Sequence, residues 1–274
     1  MPELPEVEVC RRGLQPEVEG QTIFGALVRA PRLRLPLLPT LGETLAGQQI
    51  VAVRRRGKYL LFDCRGGVED GCLIVHLGMS GNLRFVPPET PAGRHDHVDL
   101  LFARQVLRFS DPRRFGVIHW QPAGVPPHPL LAVLGIEPLG DEFTADWLFA
   151  ATRRRASPIK PLLMDSHLVV GIGNIYASES LFRAGISPVR AANRISRERY
   201  ERLVPAIRQT LSDAIAAGGS SIRDYVHSDG GAGCFQVDCA VYDRAGTACR
   251  RCSGVVRQIR QGGRSTYYCP TCQH

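Results

Sequence analysis

The chain has 274 residues, 44% of them hydrophobic, enough to bury a core in two or three domains. It has no apolar run of the roughly 18 residues a membrane span needs, and its first twelve residues carry Glu3, Glu6, Glu8, Arg11 and Arg12, so neither a spanning helix nor a secretory signal is expected. The formal net charge of +8 points to a polyanionic partner, nucleic acid before an acidic membrane surface, against the plainer reading of a basic protein with no such partner.

Residues 3–19 read as a helix: Leu4, Val7, Cys10, Leu14 and Val18 recur near a 3.6-residue period, and Gly20 ends it. From Thr22 to Trp120 the pattern changes to short strands. They are expected at 22–29, 49–55, 59–64, 72–77, 82–86, 97–103, 105–109 and 116–120, separated by Gly, Pro and Asp, as in a β-sandwich. Residues 121–129 are rich in Pro and Gly and open a linker set at 121–135. Helices follow. Thr144 or Asp146 caps one running to Arg155, Gly173-Asn174 precede another at 175–184 closed by Gly185, and Ser196 caps a long one ending at Gly218-Gly219. Pro205 lies inside the last and is expected to kink or split it. Ser221 starts a short helix to Val226, and a glycine-rich loop follows over 227–239. The reading is an α+β multidomain chain: a β-sandwich domain with a leading helix (1–120), a helical domain (136–238) and a C-terminal ribbon (239–274).

The C-terminus carries the strongest local signal. Cys249-x2-Cys252, sixteen residues, then Cys269-x2-Cys272 has the spacing of a four-cysteine zinc ribbon, with a rubredoxin-like iron site or two disulfides as competing readings. Nine cysteines without an export signal favour a reducing compartment, and hence metal over disulfides. A segment this short should need its metal to fold. Arg250, Arg251, Arg257, Arg260 and Arg264 surround it, which suits phosphate contact. The other five cysteines show no ligand spacing with His and read as small buried or neutral residues.

Of 34 basic residues only Lys58 and Lys160 are lysines. Arginine-rich coding explains the excess; a retained lysine also marks positions where a compact, deprotonable charge is wanted. His95-Asp96-His97 resembles a metal motif, but alternation on a strand sets both His on one face beside Asp99 without a third ligand, which favours hydrogen bonding or phosphate contact. Arg113-Arg114-Phe115 after the Asp111-Pro112 turn reads as a wedge into a base stack, or as a structural turn with Phe115 in the core. Gly171-Ile172-Gly173-Asn174 leads into a helix whose first amides can hold a phosphate or serve packing alone.

The chain begins Met1-Pro2-Glu3-Leu4-Pro5-Glu6. Once Met1 is removed, the Pro2 nitrogen is a secondary amine, a nucleophile that forms an iminium without further activation, and an α-amino group titrates near neutrality. Glu3 sets a carboxyl group beside it. The same residues also make an ordinary helix start.

Taken together the motifs resemble the bacterial formamidopyrimidine-DNA glycosylases, within the group that includes endonuclease VIII. They are Pro2-Glu3-Leu4-Pro5-Glu6-Val7-Glu8, Lys58-Tyr59-Leu60, His76-Leu77-Gly78-Met79-Ser80-Gly81, His95-Asp96-His97-Val98-Asp99, Asp111-Pro112-Arg113-Arg114-Phe115-Gly116, Gly173-Asn174-Ile175-Tyr176-Ala177-Ser178-Glu179 and the cysteine ribbon. Leu4 favours the formamidopyrimidine branch. The resemblance implies a β-sandwich, a helix-two-turns-helix module and a zinc ribbon with one structural zinc ion, with duplex DNA holding an oxidised base in a basic cleft. It implies a bifunctional DNA glycosylase and AP lyase of base excision repair that removes 8-oxoguanine and formamidopyrimidines and cuts by β- and δ-elimination. The alternatives are a preference for oxidised pyrimidines and a non-catalytic binder of damaged DNA.

By the same resemblance Pro2 attacks C1′, Glu3 donates the proton that opens the sugar ring, Lys58 contacts the lesion nucleotide and Arg264 a phosphate. Met79, Arg113 and Phe115 fill the vacated space. His95, Lys160 and Asn174 contact phosphates with Tyr242 in support, and Glu6 and Glu179 lie near the damaged base. A monomer in the bacterial cytoplasm, at the nucleoid, is expected. Cys234 and Cys239 depart from the aromatic and aliphatic residues usual in the 227–239 loop, and Pro205 is unusual in the long helix.

Overall fold

A computed structural model describes residues 1–219 and 239–274. It divides into two compact units, the first built on Met1–Ala132 and the second on Val133–Ala217 with the C-terminal segment.

The first unit opens with α1 (Leu4–Val18), which buries Leu4, Val7, Cys10, Leu14 and Val18 on one face, as the 3.6 period requires. It ends at Gly20, whose φ of 81° is left-handed. Strands β1 (Gly25–Val28), β2 (Gln49–Arg56), β3 (Tyr59–Arg65), β4 (Gly71–His76), β5 (Asn82–Val86), β6 (Asp96–Leu101), β7 (Val106–Ser110) and β8 (Val117–Pro122) follow, with a short helix α2 (Leu41–Leu45) before β2. They form two four-stranded sheets in the orders β2-β3-β4-β8 and β1-β6-β7-β5, with antiparallel pairing throughout. Leu60, Phe62, Val75, Ile118 and Trp120 of the first sheet share a core with Leu83, Val98, Leu100, Leu107 and Phe109 of the second and with the buried face of α1. This is the expected sandwich, whose inner faces exclude water from alternate residues of every strand.

A short helix α3 (Pro129–Ala132) closes the Met1–Ala132 segment of the first unit, and the second unit holds α4 (Ala145–Thr152), α5 (Ile159–Leu163), α6 (Asn174–Ala184) and α7 (Arg197–Ala216). Thr144 caps α4 by accepting from the Trp147 N–H at 3.1 Å. Gly185, at φ 69°, closes α6. Tyr176, Leu181, Tyr200, Leu203, Ile207 and Leu211 are all fully buried on α6 and α7. Strands β9 (Arg257–Gln261) and β10 (Arg264–Tyr268) pair as an antiparallel hairpin beside α6.

Two expectations are corrected. Of the two outcomes expected at Pro205 the split does not occur: α7 is one continuous helix through it. Pro205 is exposed, so the carbonyl it leaves without an N–H donor can be hydrated. His95 and His97 do not share a face: β6 starts at Asp96 and its register shifts between Asp96 and Val98. That bulge breaks the alternation, leaving His95 exposed and His97 2% exposed. The short helix at 221–226, Cys234 and all of the 227–239 loop but Cys239 lie outside the described residues.

Candidate functional site

The N-terminal motif sits at the start of α1. Glu3 is its N-cap, and the Glu6 carboxylate reaches back to accept from the Glu3 N–H at 2.7 Å, an arm of a capping box. Pro2, Glu3 and Glu6 are all buried. The cap that makes a stable helix start therefore also fixes the peptide joining Pro2 to Glu3. The two readings of this segment, helix start and reaction centre, are structurally compatible.

Lys58 lies in the tight turn between β2 and β3, after Gly57 at φ 56°. Behind it, Arg55 donates from Nη1 to the Gly57 carbonyl at 3.1 Å and from Nε to Glu8 Oε2 at 3.1 Å. Glu8 also accepts from Arg11 and Arg12, both at 2.9 Å. Burial alone would raise its pKa, but these hydrogen bonds and the Arg11 and Arg55 charges win and hold it at about 2.

His76, which sequence reasoning left without a role, pairs across the ladder with Tyr59, next to Lys58. Its Nδ1 accepts from the Gly78 N–H at 2.9 Å, and its ring lies 4.7 Å from that of Tyr59. Burial, then the positive charges of Lys58 and Arg34, push its pKa down to about 4, so the imidazole is neutral at pH 7. Only the strand register brings His76 to Lys58; no sequence spacing signals it.

Met79, Arg113 and Phe115 come together at one edge of the sandwich. Met79 and Phe115 are 36% and 47% exposed, and the Arg113 guanidinium lies 5.7 Å from the Phe115 ring centroid. Phe115 is therefore a presented aromatic, not a core residue. His95 is exposed on the loop before β6, whose base is held by Arg108, an internal guanidinium bonded to Asp99 and to the Thr90 and Pro91 carbonyls.

In the second unit, the Lys160 ammonium is 1% exposed and donates to Asn174 Oδ1 at 2.5 Å, Thr266 Oγ1 at 2.7 Å and the Ser265 carbonyl at 3.4 Å. Asn174 Nδ2 donates to the same carbonyl at 2.9 Å. Lys160 thus ties α5 and α6 to the hairpin. A hollow of about 210 Å³ lined by Lys160, Met164, Gln261 and Arg264 adjoins it, with Arg264 exposed at the hairpin turn. Glu179 Oε1 accepts from the Val241 and Tyr242 N–H groups at 3.0 and 2.8 Å, and Oε2 from Ala240 at 2.8 Å. The Tyr242 ring packs edge-on to Tyr267 at 5.0 Å.

The four ribbon cysteines bring their sulfurs within 4.8 Å of one another, the only such metal-ligating group among the described residues. Cys249 and Cys272 sulfurs are 3.9 Å apart, those of Cys252 and Cys269 3.5 Å. Four thiolates around zinc at about 2.3 Å each stand about 3.8 Å apart. The Arg251 N–H points at Cys249 Sγ at 3.4 Å, a donor that stabilises thiolate charge. The set fits one structural zinc ion. By contrast, Cys64 and Cys72 are inert: burial pushes both thiols up to about 12.

Residues 1–118 match the formamidopyrimidine-DNA glycosylase N-terminal domain, 134–226 its H2TH domain, and 246–274 the zinc finger found in FPG and IleRS. Together they define the class: a DNA glycosylase with AP lyase activity, of base excision repair.

The formamidopyrimidine-DNA glycosylase of Dechloromonas aromatica is 71% identical over the full length of both chains. Complexes of Lactococcus lactis Fpg with DNA holding an abasic site, and with DNA holding an oxidised pyrimidine, are 36% identical with a TM-score of 0.90 over 99% and 100% of each chain, respectively. The Thermus thermophilus protein is 41% identical with a TM-score of 0.87, over 99% of this chain and 98% of that one. The chain belongs to the formamidopyrimidine-DNA glycosylase family. Its relatives are bacterial, and no described helix is long and apolar enough to cross a membrane.

Proposed function

We propose that this chain excises oxidised purines, 8-oxoguanine and formamidopyrimidines, from duplex DNA and then cuts the abasic strand, with Pro2 as nucleophile. The observation that carries the reading is the N-terminus of α1, where Pro2 and Glu3 are buried side by side and Glu6 fixes the peptide between them. With Met1 removed, the Pro2 nitrogen attacks C1′ of the flipped nucleotide as the bond from C1′ to the base breaks; the base leaves with the bonding pair and takes up the proton that the nitrogen gives up. Glu3 delivers a proton to the ring oxygen as the sugar opens, and the nitrogen lone pair forms the C1′ iminium. The iminium acidifies the C2′ proton. Its loss expels the 3′-phosphate, and a second elimination expels the 5′-phosphate. A water or hydroxyl nucleophile would release the base but offers no such electron sink.

Lys58 is assigned to the lesion nucleotide and its proton transfers. Met79, Arg113 and Phe115 are assigned to the space the flipped base leaves, with Arg113 donating to the widowed cytosine, since flipping costs a few kcal/mol that stacking and hydrogen bonds must offset. His95, Asn174 and Arg264 are assigned to backbone phosphates, with Tyr242 in support. Lys160 joins that group by holding Asn174 and the hairpin in place. Glu6 and Glu179 are assigned to the surroundings of the damaged base. The domains are proposed at 1–120, 136–238 and 239–274, the last closed by zinc, and the working place is the bacterial cytoplasm at the nucleoid.

A second reading, preference for oxidised pyrimidines, has one observation in its favour: the Lactococcus lactis relative is seen with such DNA. Cleavage of 8-oxoguanine:cytosine and thymine glycol duplexes by the mature chain decides between them. Faster 8-oxoguanine cleavage is expected, and faster thymine glycol cleavage overturns the first reading.

A further inference from the structure

Asp111 is fully buried, and each of its polar groups has a partner. Its Oδ1 accepts from Ser80 Oγ at 2.8 Å and from the Arg113 N–H at 3.2 Å. Its Oδ2 accepts from the Gly116 N–H at 2.8 Å. Its own N–H donates to the His95 carbonyl at 2.9 Å, and its carbonyl lies 2.9 Å from His97 Nε2 and accepts from the Arg114 N–H at 3.2 Å. One side chain thus binds the residue after Met79 and both flanks of the Arg113–Phe115 tip. Its backbone binds the carbonyl of His95.

The loops also meet directly. A Cβ on Gly78 would lie 2.5 Å from the Gly116 nitrogen and from the Phe115 carbonyl carbon, so the backbone before Met79 rests on the backbone of Phe115 and Gly116. Gly78 has φ 65°, which favours glycine there as well. Arg114 sits at φ 56°, an uncommon place for a side chain outside glycine, held by the turn that Asp111 closes. A flexible wedge would lose conformational entropy on entering the DNA stack; a wedge already fixed does not.

We propose that Asp111 is a positioning residue that joins the Met79 loop and the Arg113–Phe115 tip into one rigid insert, so that both enter the vacated space together. This rests on the assignment of Met79, Arg113 and Phe115 to that space. Asp111→Asn is nearly isosteric but replaces one acceptor oxygen with a donor, so the Arg113 and Gly116 N–H groups, which donate to different oxygens, cannot both be satisfied. It acts at a step that a single strand does not need, because no partner base is left behind there.

The test compares two substrates in the mature full-length chain: an 8-oxoguanine:cytosine duplex, and a single-stranded oligonucleotide with an abasic site. Asp111→Asn is expected to lower kcat/KM on the duplex by about 30-fold or more, while cleavage of the single strand stays within about twofold. Adding Phe115→Ala to Asp111→Asn should then cost less than it does in the unmodified chain. Equal losses on both substrates, or no loss on the duplex, overturn the proposal.

Should Asp111→Asn not fold, Ser80→Ala removes only the Met79 arm. It is expected to slow the duplex reaction alone, with no further loss in a Met79→Ala background; a fully additive loss counts against the insert. A chain with Met79, Arg113 and Phe115 all changed to Ala separates the two levels. If it keeps full duplex activity, the wedge assignment itself fails; if it loses activity while Asp111→Asn does not, only the role of Asp111 fails.

Discussion

Arg55 and Glu8 join α1, the helix that follows Pro2, to the turn that carries Lys58. One guanidinium spans Glu8 Oε2 and the Gly57 carbonyl, each at 3.1 Å. α1 therefore does not merely lie on β2; a charge-assisted clamp sets where its first turn stands relative to the residue after Gly57. Arg55→Ala leaves the buried Glu8 with one cation fewer. It should destabilise the chain by about 2 kcal/mol, less than the loss of a fully buried pair because Glu8 keeps Arg11 and Arg12. Abasic-strand cleavage should fall more than DNA affinity does, and kinetics beside a binding isotherm check this.

The same carboxylate sets an acid limit. Glu8 is held at about 2 against an ordinary 4.5, so the folded state favours its charged form. That contribution is present above pH 4.5 and is lost as the pH falls towards 2, where the folded carboxylate also takes up its proton. Denaturant titrations from pH 5 to 2.5 should show the unmodified chain losing stability more steeply than Glu8→Gln.

His76 should titrate at about 4 rather than at its ordinary 6.5, as seen by its ring proton shifts. The folded state disfavours the imidazolium, so the stability that the neutral ring contributes is complete above pH 6.5 and declines as the pH falls towards 4. Lys58→Met removes one of the opposing charges and should raise the midpoint. A midpoint near 6.5 in the unmodified chain would contradict the burial of this ring beside Lys58.

Lys160→Arg should not be conservative. Asn174 Oδ1, Thr266 Oγ1 and the Ser265 carbonyl converge on a point charge, and a planar fork cannot meet all three in a site only 1% exposed. A loss of about 2 kcal/mol of stability is expected, with a larger one for Lys160→Met, which takes the ammonium donor from Asn174 Oδ1 and Thr266 Oγ1. Thermal unfolding measures both.

Zinc removal should unfold the ribbon and spare the sandwich. Beyond the cysteines, the buried apolar residues of its core among the described residues are Phe182, Val241, Val256 and Tyr267, too few to hold a hairpin of two five-residue strands alone. One zinc per chain is expected by metal analysis. Chelation should release it, lower DNA affinity and leave the near-ultraviolet signal of Trp120 intact.

Much of this was legible in the sequence, because the relevant signals are local. Short strands separated by turn residues placed the sandwich, Thr144 and Gly185 marked helix ends, and two Cys-x2-Cys knuckles marked the metal. What was not legible depends on partners far along the chain. Nothing near Lys160 says that its ammonium is buried against Thr266, and nothing near Asp111 says that Ser80 will meet it. The separation of His95 from His97 follows from a bulge that one extra residue creates, which alternation cannot foresee. α2, α3 and α5 are of five, four and five residues, too short for a 3.6-residue period to declare itself.

The central claim is that the Pro2 nitrogen, freed of Met1, bonds to the sugar. Borohydride trapping on an 8-oxoguanine duplex, followed by mass mapping of the adduct, tests it most directly. The account predicts one covalent DNA adduct on Pro2 in chains that have lost Met1, and none in chains that retain it. A mature chain that cleaves the lesion strand with its adduct on Lys58 or any other residue, or with no adduct at all, would contradict it.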